Sequence, residues 1–186
     1  SRVFTLIFCL AAFLGNLYAW HLKDTTQQVA ALLYAGSAIG AALAGDLITL
    51  FFYWEGTAIA SVFLIWARGS QGAYNTGMRY LLIQIGSGVI LIAGVALYFH
   101  ETGSITFENM KLSSLGTWLI FLSFGIKAAF PLLHNWLQDS YPAATVTGTV
   151  ILSAFTTKLA IYALARGFAG TEILIYIGAV MTFFPI

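Results

Sequence analysis

The 186-residue chain is 60% hydrophobic and 16% aromatic, while only 8% of its residues are charged. Soluble globular domains carry about 25% charged residues, so the composition excludes a soluble enzyme and a disordered chain. The formal net charge is +1 without a basic tract, which also excludes a nucleic-acid-binding protein. The class that remains is an integral membrane protein, whose first partner is the lipid bilayer.

Seven apolar runs predict transmembrane helices, because a bilayer core about 30 Å thick needs roughly 20 apolar residues in a helix. A spanning segment must satisfy its own backbone hydrogen bonds, which favours helices throughout. In chain order the predicted spans are residues 3–20, 29–44, 47–67, 78–99, 115–133, 143–165 and an incomplete run from 173 onward. The polar segments between them are short, so residues 1–186 are predicted to form a single all-α, polytopic transmembrane domain.

Three of the fifteen formal charges, Glu55, Lys127 and Lys158, lie inside predicted spans. A charge at mid-bilayer costs about 2.5 kcal/mol or more. At 1.5 Å per residue, Glu55 lies about 12 Å and Lys127 about 18 Å from one membrane face, and Lys158 about 22 Å from the other. We therefore expect the three charges to share the middle of the membrane and to face one another rather than lipid.

A static ion pair between Glu55 and a buried lysine, which would hold helices together, is one interpretation of these charges. Desolvation cancels most of the attraction in a buried pair, so such pairs stabilise proteins poorly in comparison with apolar packing. Burial disfavours both charges while proximity favours both, and this balance is what a proton relay requires. The sequence therefore favours a relay of Glu55, Lys127 and Lys158 over a static pair.

A helix break is predicted next to Lys127. Pro131 lies four residues later and has no N–H to donate to the Lys127 carbonyl. Broken helices at mid-membrane mark ion sites in transporters, although a plain proline kink is the alternative. His134, which titrates near neutral pH when unperturbed, and Asp139 follow the break and could exchange protons with water at the membrane face. An ordinary polar cap before the next helix is the other interpretation of these two residues.

The sequence contains no pattern typical of a metal or cofactor site. Its three histidines are far apart and Cys9 is the single cysteine. A glycine-rich phosphate loop is also absent from the sequence. We therefore expect no metal, no cofactor and no catalytic site of the chain's own. Any enzymatic role would come from membership of a redox-driven proton-pumping complex.

Three sequence blocks resemble a known family. Residues 46–55 (DLITLFFYWE) resemble the start of a helix with a key glutamate. Residues 125–139 (GIKAAFPLLHNWLQD) resemble a broken-helix lysine motif. Residues 157–166 (TKLAIYALAR) resemble the next helix, which carries a second lysine. Over about residues 29–186 the chain resembles the antiporter-like subunits of Mrp cation/proton antiporters, those of the D type in particular, and the proton-pumping membrane subunits of respiratory complex I.

The resemblance implies that Glu55 and Lys127 modulate protonation together and that Lys158 relays protons toward the membrane centre. The chain departs from the family at Gln138, where proline is usual, and at Pro131, which lies one place early. The family is built from two inverted repeats. This chain corresponds to the first repeat with a preceding helix and the start of a following one, so we expect a portion of a longer subunit or a truncated relative.

The sequence thus predicts a membrane ion-transport component that translocates protons or exchanges Na⁺ or K⁺ for protons. It is expected to assemble with other membrane subunits in a bacterial inner (cytoplasmic) membrane. The alternative, from a different functional class, is an antiporter-like polypeptide that serves as a structural or accessory subunit of a larger photosynthetic or respiratory membrane complex.

Overall fold

The computed structural model describes residues 2–183, most of which are helical, with no β-strand among them. The helices are α1 (Arg2–Tyr18, continued by a 3-10 turn, Ala19–His21), α2 (Thr25–Leu43), α3 (Leu47–Trp66), α4 (Gln71–Thr102), α5 (Leu115–Lys127), α6 (Asn135–Ala143), α7 (Val146–Gly167) and α8 (Ile173–Phe183). Four of the described helices, α1 with its 3-10 turn, α3, α4 and α7, are each long and apolar enough to cross a membrane. The prediction of an all-α membrane protein is confirmed.

Polar side chains set the starts of the helices. Asp24, Asp46, Ser70, Ser114 and Thr145 each accept a hydrogen bond from a backbone N–H in the first turn of the helix that follows. The cap on α4 explains why this helix begins about two turns before the predicted span at 78–99. Capping satisfies the first backbone donors, so a helix can extend through residues that are too polar for a lipid-facing span.

Helix α3 contacts four other helices, while one of its faces, with Phe52, Ile59 and Phe63, stays exposed. It packs against α2, α4, α6 and α7, and α4 packs in turn along α5. The approach of α2 to α3 is close, since the Tyr53 ring occupies the space that a side chain at Gly40 would need. The middle of α3, which carries Glu55, is therefore surrounded by helices on several sides.

The chain leaves the helical conformation directly after Lys127. The Phe130 N–H donates to the Gly125 carbonyl (3.0 Å) and the Ala129 N–H to the Ile126 carbonyl (3.1 Å), which is the Schellman pattern of a helix C-terminus. Ala129 has φ +61°, a left-handed conformation that glycine usually provides. The break predicted near Lys127 and Pro131 is thus present, and Pro131 follows the Schellman turn.

The segment between the predicted fifth and sixth spans, expected to be a polar break, contains a short helix instead. This helix, α6, packs against α4 and α7. Trp136 and Leu137 are buried, and the Trp136 Nε1–H donates to the Ile126 carbonyl at the end of α5 (3.0 Å). The predicted span 115–133 is correspondingly shorter, because it ends as a helix at Lys127. A nine-residue helix with polar flanks is too short for hydrophobic periodicity to identify.

We expect Ala129→Gly to raise the free energy of unfolding by up to about 1 kcal/mol, because the left-handed conformation costs other residues roughly 1–2 kcal/mol. The matched control is Ala128→Gly, at the neighbouring residue, which has φ −73°. This substitution should lower the free energy of unfolding by about 1 kcal/mol. Denaturant unfolding of both variants in detergent measures the difference. Equal destabilisation by the two substitutions would contradict the assigned Schellman turn.

Candidate functional site

The Lys127 side chain is buried against one turn of α3, with 1% of its surface exposed. Its Nζ donates to the Trp54 carbonyl oxygen (2.9 Å) and to Thr57 Oγ1 (2.8 Å). Nζ also lies 4.3 Å from the centroid of the Trp54 ring, within the range of cation–π attraction. The amine therefore has two uncharged acceptors and an aromatic face as its surroundings.

Hydrogen bonds between helices hold this turn of α3 in place. The Trp54 Nε1–H donates to Ser87 Oγ on α4 (3.0 Å), and Ser123 Oγ on α5 donates to the Ser87 carbonyl (2.7 Å). The Thr57 hydroxyl also donates to the Trp54 carbonyl (2.7 Å). Helices α3, α4 and α5 are thus joined at the level of Lys127, so the position of the amine is fixed by three helices.

Glu55 lies next to this cluster, with its carboxylate against the backbone of Gly88 on α4. A Cβ atom at Gly88 would overlap Glu55 Oε1. Oε1 is buried and has no hydrogen-bond partner among the described residues. Glu55 interacts electrostatically with Lys127, but the two do not form an ion pair within 4.0 Å. The structure therefore brings Glu55 and Lys127 near each other without an ion pair between them. We call this arrangement the open pair.

Lys158 lies elsewhere. It is exposed on α7, on the same stripe as the exposed Ile161 and Ala165, while its neighbours Leu159 and Ala160 are buried. The structure therefore does not bring Lys158 to Glu55 and Lys127, in contrast to the expectation that the three charges converge. The physical reason is the direction of the side chain, since residue 158 projects from the face of α7 opposite to the one packed in the bundle.

The remaining predicted site residues lie around the helix break. Pro131 is half-buried within the break, and His134 is half-buried directly before α6. Asp139 is exposed on α6 and forms an ion pair with Arg79 of α4, the one ion pair found among residues 2–183. This pair lines a cavity of about 490 Å³ between α4 and α6. Asp139 is therefore bound to Arg79 at a polar cavity and does not contact Lys127.

Three residues around the pair, Thr57, Ser87 and Gly88, were not predicted from the sequence. Hydroxyl groups in helices commonly bond to their own backbone, so Thr57 and Ser87 give no distinctive signal. Gln84 was also missed, although an amide within the apolar stretch of α4 is such a signal. Within the described part of the chain, no three His, Cys, Asp or Glu side chains are grouped to hold a metal ion.

Comparisons with known proteins connect this site to a family. Residues 44–185 match the family described as NADH:quinone oxidoreductase/Mrp antiporter, TM. The chain is 30% identical over 150 residues to the M subunit of the NADH-quinone oxidoreductase of Pseudomonas aeruginosa, a match that covers 70% of this chain and 30% of the relative. It is 30% identical over 139 residues to the D subunit of the Na(+)/H(+) antiporter of Bacillus subtilis, which covers 69% and 28% of the two chains.

Solved structures give the same picture. The fold is similar to a chain of the membrane-bound sulfane sulfur reductase, an archaeal respiratory membrane complex, with a TM-score of 0.83, 26% identity, and coverage of 96% of this chain and 42% of that one. A chain of the Mrp complex from Dietzia sp. DQ12-45-1b matches with a TM-score of 0.77, 26% identity, and coverage of 95% and 37%.

The chain thus spans under a third of the length of these two curated relatives. The family match nevertheless includes all of the described residues that form the open pair and the helix break. This integral membrane protein therefore belongs to the NADH:quinone oxidoreductase/Mrp antiporter transmembrane family.

Proposed function

We propose that the chain is an ion-transport component that moves protons, alone or in exchange for Na⁺ or K⁺, with Glu55 and Lys127 as the transferring pair. The observation that carries the proposal is the fully buried Lys127 amine, bonded to uncharged acceptors beside a carboxylate oxygen without a partner. The relatives named as part of a Na(+)/H(+) antiporter and of an NADH-quinone oxidoreductase support this assignment.

The hydrogen bonding of Lys127 suggests how the pair moves a proton. A neutral amine has two N–H groups, which the Trp54 carbonyl and the Thr57 hydroxyl accept. An ammonium group has a third, and the Glu55 carboxylate is the nearby acceptor of opposite charge. When Lys127 gains a proton, its ammonium group therefore attracts the Glu55 carboxylate away from Gly88. When Lys127 loses the proton, the carboxylate is released. The proton affinity of each group depends on the other, so their titrations are coupled.

Lys158 is proposed as the next relay group, on the outer face of α7. An exposed lysine in a spanning helix is costly against lipid, so this face is expected to be covered by protein. Other membrane subunits, or further parts of a longer chain, are the proposed cover. The similarity to chains of multi-subunit membrane complexes supports such an assembly.

His134 and Asp139 are proposed to exchange protons with water near the helix break that contains Pro131. Asp139 lies at the α4–α6 cavity, where its pairing with Arg79 keeps a carboxylate beside a polar space. We place the chain, as a single transmembrane domain, in the cytoplasmic membrane of a bacterium. The bacterial origin of both curated relatives supports that location.

Substitutions of the pair test transport directly. We expect Lys127→Met and Glu55→Gln to reduce proton or Na⁺ flux by about tenfold or more, because each removes a group that binds and releases a proton. Flux is measured in vesicles that contain the assembled protein complex. The controls are Lys111→Met and Glu108→Gln, at exposed positions, which should leave flux unchanged. Full flux in both pair variants would contradict transport through this site and favour the structural-subunit alternative.

The position of the Glu55 carboxylate is tested by Gly88→Ala. The added methyl group would overlap Glu55 Oε1, so the carboxylate must move, while alanine in a helix changes stability by only about 1 kcal/mol. We expect a large loss of flux with the protein still assembled. The control is Gly86→Ala on the same helix, where a Cβ atom meets nothing within 4 Å. Equal flux in the two variants would refute a role for the carboxylate at Gly88.

A further inference from the structure

Gln84 on α4 is a buried amide that has no part in the proton transfer proposed for Glu55 and Lys127. It is 0% exposed, and neither its Oε1 nor its Nε2 atom has a hydrogen-bond partner among the described residues. Burying an amide without a partner is unfavourable, and buried polar groups are normally satisfied by protein atoms or by bound water. Gln84 therefore marks a position where a polar ligand is required.

A second buried atom without a partner lies close to this amide. Glu55 Oε1 occupies the position that a Cβ atom of Gly88 would take. Gly88 follows Gln84 by four residues on the same helix, and Cβ positions at that spacing are about 5–6 Å apart. The carboxylate oxygen therefore lies against the face of α4 that carries Gln84, about one helical turn away. Together the two side chains offer three polar atoms, as many as a buried water usually bonds.

The cavity between α4 and α6 lies next to this stretch of α4. Its lining includes Tyr80 and Ile83, which precede Gln84 along α4 by one turn and by one residue. The same cavity is lined by Arg79 and Asp139, both of which are exposed. The Tyr80 hydroxyl also makes a hydrogen bond with Ser61 Oγ (2.7 Å), so polar groups continue inward from the cavity.

We propose that Gln84 holds bound water against the Glu55 carboxylate and forms the inner end of a water path from the Arg79–Asp139 cavity. Gln84 acts as a positioning residue: its Nε2 donates to water, its Oε1 accepts from water, and the water donates to Glu55. The path connects Glu55 to the side of the membrane on which α4 begins. Its use in transport rests on the proposed function, whereas the water site itself does not.

Infrared difference spectroscopy of the assembled complex, recorded in ordinary water and in H₂¹⁸O, tests the water site. The carboxyl band of Glu55 is assigned by its loss in Glu55→Gln. We expect Gln84→Met, which keeps the length of the side chain without its polar atoms, to shift this band to higher wavenumber and to remove the ¹⁸O-sensitive water band. Gln84→Asn, which retains the amide, should retain both bands. Flux should fall by about tenfold in Gln84→Met and less in Gln84→Asn.

Thermal unfolding provides an independent measurement, with Gln27 as the matched control. Gln27 is buried and its Oε1 accepts hydrogen bonds from Thr145 (2.5 Å) and Thr147 (2.9 Å), so Gln27→Met should lower the Tm. If Gln84 is hydrated, Gln84→Met should also fail to raise the Tm, because the amide is already satisfied by water. A higher Tm for Gln84→Met would show that the amide is dry and would overturn the proposal.

The spectroscopic outcomes separate this inference from the proposed function. An unshifted Glu55 band in Gln84→Met would overturn the water site, whatever the flux. A shifted band in a complex whose flux does not depend on Lys127 would support the water site and contradict the proposed function instead.

Discussion

The Lys127 amine is buried against α3, where every group it contacts is uncharged. Removing an amine from water is expensive, and uncharged hydrogen-bond partners recover only part of that cost. The Trp54 carbonyl and the Thr57 hydroxyl provide such partners, and Ser87 and Ser123 fix the helices that present them. The charged form of Lys127 would still lack a close counter-ion, and this deficit is the basis of the coupling proposed between Lys127 and Glu55.

The helix break serves the same site. Because α5 ends at Lys127, the following residues turn away and α6 can pack beside α4, where it forms one wall of the polar cavity. The turn accepts a left-handed alanine at position 129, and the Trp136 indole satisfies a carbonyl near the end of α5. Strain of this kind persists where the surrounding packing determines the conformation. The break thus places the buried amine at the end of α5 and allows α6 to line the polar cavity beside α4.

Much of this arrangement could be predicted from the sequence, for identifiable reasons. The composition indicated the membrane class, and the cost of charge in lipid singled out Glu55 and Lys127, which the structure places together. The side on which Lys158 projects could not be predicted, since α7 is apolar around most of its circumference and shows no clear polar face. The short helix α6 and the contact between Gly88 and Glu55 could not be predicted either, because they depend on how helices distant in sequence pack.

The substitution Lys127→Arg tests whether the amine must release its proton during transport. Arginine keeps the positive charge and the hydrogen-bond donors of lysine, but it does not release its proton at physiological pH. Proton flux is measured in vesicles that contain the assembled complex, with assembly verified in parallel. We expect the complex to assemble and its flux to be lost, because in the proposed function Lys127 must alternate between its charged and neutral forms. Flux equal to that of the unmodified protein would show that a fixed charge is sufficient and would contradict proton transfer through Lys127.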